Sequence, residues 1–260
     1  MIIPCAAIGL QPVETHDGLA VSKRATGRGI GGWRTRLRGS AGIGIALAVS
    51  WCLAALAGAA DDLPAIHRVD APEARWVFVN MNPEALGSLR AAYGQAKTGL
   101  EARLGWHVDI LPTVMVVGDR ERFKAISGRP GIAGFAVPDR MTMVLDYPGA
   151  VAAGTLVPLI RHELCHLLLH RHIPSGLLPR WLDEGVAQWA SDGLSELVDG
   201  GDRRLLQRAV NAGRHFSLRE LDEAFYGSPQ TVALAYAQSA GLVLFLVDRF
   251  GDRALVRLLT

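Results

Sequence analysis

Residues 155–172 read TLVPLIRHELCHLLLHRH and residues 179–187 read PRWLDEGVA, and these two stretches decide how the chain folds. From Thr155 to His170 the first is apolar and free of interior breakers, which predicts one helix. Pro158 is tolerated there because it falls in the opening turn, where the missing backbone N–H has no intrahelical partner to lose. Pro174 and Gly176 end the helix. Inside it lies His162-Glu163-Leu164-Cys165-His166, and positions i and i+4 stack on one helix face, so that both histidines can face a single metal ion. Glu163 sits about 100° round the helix from His162. There it is near such an ion but outside its ligand shell, where a carboxylate can take a proton from an activated water.

A second helix is expected from Pro179-Arg180-Trp181 to about Ser191, and it sets Glu184 seventeen intervening residues after His166. Catalytic zinc takes three protein ligands and keeps a further position open. His162, His166 and Glu184 supply that set. H-E-x-x-H followed by W-L-x-E-G-x-A resembles the gluzincin-type (MA-clan) zinc metallopeptidase-like domains of bacterial exported proteins. The resemblance covers about residues 135 to 255, including Tyr236-Ala237-Gln238-Ser239 and Arg249-Phe250-Gly251. It implies a zincin-like fold, one catalytic Zn2+ held by His162, His166 and Glu184, and Glu163 as general base. It also implies an oxyanion donor from the following helical region. Tyr236 is the candidate, against the competing reading of an aromatic packed in the core.

Two neighbouring patterns separate from this one. His172 stands where metzincins carry a third histidine ligand, but the glycine that their sharp turn needs is Leu169 here, and no methionine follows Met143 to make a Met-turn. The W-L-x-E-G-x-A segment also resembles zinc aminopeptidases, yet their glycine-methionine-glutamate-asparagine loop has no counterpart; the nearest run is Gly131-Ile132-Ala133-Gly134-Phe135. Asp183 and Gln188 lie within a turn of Glu184 and are candidates to orient a histidine ring through its second nitrogen. His170 and His172 read as surface histidines beyond the metal, Cys165 as a small core filler, and Trp181 and Trp189 as packing residues.

Outward from the two helices, the earlier part of the chain is sheet-forming. Strands are expected at Arg75–Asn80 and Thr113–Val117, with a helix from Pro83 to Leu104 between them. Gly134–Val137 and Met141–Leu145 flank Pro138-Asp139-Arg140 as a hairpin-like pair just before the metal helix, and are expected to form the sheet edge that lines the cleft. Helices follow at Asp202–Asn211, Ser217–Phe225 and Thr231–Phe250, the last closed by Gly251. Strands first and helices after is the α+β pattern: a small N-terminal mixed sheet with a helix, then a helical C-terminal half.

The first sixty residues differ from the rest. They carry six basic residues against two acidic ones, which leaves 21 against 23 of the chain totals of 27 and 25 for the remainder. The basic balance thus comes from the leader, and the folded part lacks the excess of Lys and Arg that phosphate neutralisation uses, which argues against nucleic acid as a partner. A basic stretch ending at Arg38, an apolar run from Ala41 to Leu56 and Ala57-Gly58-Ala59 form a signal peptide in order, with cleavage expected after Ala59 or Ala60. The rival reading is an uncleaved anchor over residues 41–60, long enough to span a bilayer. Export to the periplasm or medium is expected, with membrane contact only if the anchor is retained. Residues 61–260 then form a single zincin-like domain, in which Cys165 is the only cysteine and no internal disulfide can form.

These observations point to a zinc metallopeptidase acting on a peptide or protein. The alternative is a non-catalytic, metal-stabilised binding module of the cell envelope, against which an intact Glu163 argues, because a structural metal site has no use for a general base. Hydrolysis of a non-peptide amide is a third reading.

Overall fold

The structure, a computed structural model, describes residues 64–129, 131–174, 176–192 and 202–260; the expected leader and its cleavage site lie outside these. One mixed sheet is built from β1 (Ile66–Asp70), β2 (Arg75–Val79), β3 (Thr113–Val117), β4 (Gly134–Val137) and β5 (Thr142–Asp146) in the order β1-β2-β3-β5-β4. The inner strands β2, β3 and β5 run parallel, while β1 and β4 are antiparallel to their neighbours. Strands buried on both faces read as continuous apolar runs, and Val114-Met115-Val116-Val117 in β3 is such a run. Their side chains nevertheless alternate. Trp76, Phe78, Val114, Val116, Met143 and Leu145 join the core shared with the helices, whereas Val77, Val79, Met115, Val117 and Val144 pack with Phe123 and Phe135 in a second core.

Helix α1 (Leu86–Leu104) follows a short 3-10 turn at Pro83–Ala85 and buries Leu89, Ala92, Tyr93, Ala96, Leu100 and Leu104 at helical spacing. It ends at Gly105, whose left-handed φ of 68° is one that glycine adopts without strain. In the sheet-forming half three elements add to the sequence expectation: β1, α2 (Arg120–Ser127) and α3 (Tyr147–Ala152). Both short helices start at aspartates at or just after a strand end: Asp146 closes β5, and Asp119 lies two residues past β3. Asp119 accepts hydrogen bonds from the N–H groups of Glu121 and Arg122, and Asp146 from that of Gly149. An aspartate that ends a strand and caps the next helix reads in sequence only as a breaker.

One expectation is corrected. Of the two strands assigned to the cleft edge, only β4 is an edge; β5 lies between β3 and β4, paired on both sides and buried along its whole length. Its N–H and C=O groups are committed to the sheet, so a proline within it would break the ladder rather than a substrate contact.

The second half is helical, as the α+β pattern predicts. Helix α4 (Leu156–His172) packs on α1, β4 and β5 and against α5 (Arg180–Ala190), which in turn packs on α8 (Pro229–Phe250); α6 (Asp202–Asn211), α7 (Leu218–Ala224) and α9 (Asp252–Leu258) surround α8. The close crossing of α5 and α8 explains the glycine after Glu184. A Cβ at Gly185 would lie 2.6 Å from the Ser239 carbonyl oxygen and 2.7 Å from Val243 Cγ2. Among the described helices, α8 alone is long and apolar enough to cross a membrane by length and composition. Here it carries Ala235, Tyr236, Ala237 and Val243 in the protein interior.

Candidate metal centre

Helix α4 buries both motif histidines completely. Their rings stand nearly perpendicular, at 82°, with the two Nε2 atoms 3.2 Å apart. From α5, Glu184 brings Oε2 to 3.5 Å from His166 Nε2 and 3.9 Å from His162 Nε2. That oxygen is buried and no hydrogen-bond donor satisfies it among the described residues, a costly state for a carboxylate unless a cation completes it. Ligands about 2.0–2.2 Å from a tetrahedral ion are separated from one another by about 3.3–3.5 Å. Two edges of the triangle of 3.2, 3.5 and 3.9 Å are close to those of the face such an ion needs, and the His162–Glu184 edge is longer. His162, His166 and Glu184 are the one group of this kind among the described residues.

Each histidine is held by its other nitrogen. His166 Nδ1 donates to Asp183 Oδ1 at 2.8 Å, and Asp183 Oδ2 pairs with His170 Nε2 at 3.1 Å. His170 is thus a partner of the site and not simply a surface histidine. Burial by itself would lower the His166 pKa, but the Asp183 carboxylate, with Glu184 behind it, raises it to about 10. Burial likewise pushes the Asp183 carboxyl up, yet His166 and His170 hold it well below the usual carboxylate range. His162 Nδ1 lies 3.4 Å from Ser191 Oγ, whose hydroxyl donates to the Gln188 carbonyl at 3.2 Å and so accepts from the ring. In both histidines the outer nitrogen carries a proton, and Nε2 is the atom turned toward Glu184.

Sequence reasoning named Asp183 but missed Ser191, which lies two turns beyond Glu184 and caps the end of the same helix. Ser191 is followed by Asp192, at a left-handed φ of 64°, whose carboxylate is gripped by both Arg103 and Arg161. Arg180 was also missed, although an Arg four residues before Glu184 is a legible helical pair. Its Nη2 donates to Glu184 Oε1 at 3.2 Å.

Glu163 is fully buried beside the edge strand. A Cβ at Gly134 of β4 would come within 3.0 Å of Glu163 Oε1, so a glycine here lets the strand backbone approach the carboxylate. Tyr236 on α8 is buried and packs edge-on to Phe225, ring centroids 5.1 Å apart, with Leu221, Ala224 and Ala235 around it. Gln188 orients no histidine; its Nε2 donates to the Tyr236 carbonyl at 3.4 Å and ties α5 to α8. His172 stands apart from the group, stacked on Trp106 at 4.5 Å. Cys165 is a buried core residue whose thiol pKa burial pushes up, unlike a reactive thiolate.

Residues 132–260 match the family model described as the Peptidase MA superfamily. No curated protein matches the chain.

Proposed function

We propose that this chain, whose residues 132–260 match the peptidase MA superfamily model, is a zinc-dependent metallopeptidase acting on a peptide or protein, in which Glu163 is the general base. The observation that carries the reading is the convergence of His162 Nε2, His166 Nε2 and Glu184 Oε2, beside the buried Glu163. These three atoms would hold the ion, and zinc bound there supplies Lewis acidity to the scissile carbonyl and to the attacking water.

The chain's own residues do the rest. Glu163 accepts a proton from the attacking water on a carboxylate oxygen and delivers it to the nitrogen of the leaving amine. Asp183 and Ser191 keep the two rings oriented through their Nδ1 protons. Tyr236 is assigned as donor to the oxyanion; its neighbour Phe225 also lies under Arg180, the partner of Glu184, which puts the phenol's surroundings on the Glu184 side of the group. An extended substrate can add to the free side of β4, the strand whose Gly134 borders Glu163, by main-chain hydrogen bonds.

Zinc analysis and turnover of a peptide library by wild type and Glu163→Gln test this reading. Wild type should hold one zinc and cleave, whereas Glu163→Gln should keep the metal and lose about 10²–10⁴-fold in turnover. Undiminished turnover by Glu163→Gln would remove Glu163 as the base. Zinc without turnover in wild type would favour the non-catalytic envelope module. Tyr236→Phe should lower kcat with little change in KM. The proposal extends to export of residues 61–260 as one domain; N-terminal sequencing of protein recovered from an envelope fraction should find a start near Ala60 or Asp61.

A further inference from the structure

We infer that Arg180 is a positioning residue for Glu184, holding its Oε1 so that Oε2 alone is presented to the metal; this rests on the metal-site reading above. Glu184 is completely buried, and its two oxygens meet different surroundings. Oε1 accepts a hydrogen bond from Arg180 Nη2 at 3.2 Å, while Oε2 faces the two histidine nitrogens and has no donor. A carboxylate can bind a metal through one oxygen or both, and which occurs depends on whether the second oxygen is already engaged. Arg180 engages it.

The guanidinium is itself seated with care. Its side chain is only 10 % exposed, and its central carbon lies 4.9 Å from the Phe225 ring centroid and 5.6 Å from that of Tyr226. Both distances fall within the range in which a cation is attracted to an aromatic face. The same segment holds the start of α5 by a second contact, since Asp222 Oδ1 accepts from the Trp181 N–H at 3.0 Å. Helix α7 and the turn after it thus fix both the backbone from which Arg180 springs and the plane of its head group. Arg180 also lies four residues before Glu184 on one helix, so the pair survives rigid movements of α5. Lysine in its place would keep the charge and lose the planar fork and the aromatic seat.

The test uses the full chain, freed of metal and titrated with zinc against a chromophoric chelator, then loaded with cobalt(II), whose visible absorption reports coordination number. Arg180→Met should bind zinc roughly 10- to 100-fold more weakly than wild type. Its cobalt bands should weaken as Oε1 joins Oε2 at the metal. Arg180→Lys should lose affinity to an intermediate degree and keep wild-type bands. Tyr226→Ala should give a smaller shift toward Arg180→Met, because Tyr226 is 62 % exposed and its removal disturbs the guanidinium's seat without opening the core. Wild-type affinity and bands in Arg180→Met overturn the inference, reducing Arg180 to a helix-stabilising charge. Should that variant not fold, wild-type behaviour of both Arg180→Lys and Tyr226→Ala overturns it equally. Failure of the wild-type chain itself to bind zinc defeats the metal-site reading, and this inference with it, whereas His162→Ala should lose the metal in either case.

Discussion

Replacing Asp183 separates a residue that shapes the metal site from one that merely fills space. In the folded chain its Oδ1 lies 2.8 Å from His166 Nδ1 and its Oδ2 3.1 Å from His170 Nε2, with all of these groups at least largely buried. A hydrogen bond to a charged group contributes about 1.5–3 kcal/mol. At about 1.4 kcal/mol per decade, its loss weakens metal binding by roughly 10- to 100-fold, which is also what removing an outer partner of a ligand typically costs. Asp183→Asn keeps one acceptor oxygen for His166 and should fall at the lower end. Asp183→Ala leaves the ring proton buried without a partner and should fall at the upper end. In the metal-free protein Asp183→Ala also removes the partner that keeps His166 charged, so the buried ring gives up its proton; breaking that buried pair costs about 3–5 kcal/mol and should lower the melting temperature by more than in the zinc-loaded protein. Chelator competition at neutral pH, with thermal melts in the presence and absence of EDTA, measures both effects. Wild-type zinc affinity in the two variants would refute the reasoning, whatever happened to their stability.

Other expectations concern the same group and its supports. At pH 7 metal-free His166, with its pKa near 10, carries a proton that the metal must displace, so zinc binding should release about one proton, read by calorimetry in buffers of different ionisation enthalpy. Because that pKa is raised, the pair's contribution to metal-free stability is full below the unfolded histidine value of about 6.5 and is lost as pH rises through about 10, and zinc should suppress that loss. Gly185→Ala should cost about 1–3 kcal/mol in urea unfolding, since its Cβ meets the Ser239 carbonyl at 2.6 Å and backbone cannot retreat as a flexible side chain can. His172→Ala should leave zinc content unchanged, while His162→Ala, His166→Ala and Glu184→Ala should each lose the metal; the reverse pattern for His172 and Glu184 would return the metzincin reading.

The grouping of His162 and His166 was legible in the sequence because helical geometry is local. A spacing of four puts His162 and His166 on one face wherever the helix lies, and an apolar run bounded by Pro174 and Gly176 shows where it ends. The same locality made the long helices and inner strands readable, and Leu169 in the place of a turn glycine excluded His172 without reference to the fold. Contacts between elements could not be read this way. Whether β4 or β5 forms the edge depends on β5 pairing with β3, a choice made across the sheet that leaves no mark on the alternation of either strand. β1 is mostly exposed and exists as a strand only because β2 offers it a partner. Asp183 differs from an ordinary solvated helix residue only once α5 packs on α4 and places it against His166. Arg180 is only a helical ion pair until the turn after α7 supplies the aromatic seat and Glu184 is buried. Periodicity records which side of a segment is hidden; what hides it, and therefore which polar groups must find partners there, is decided only when the segments pack together.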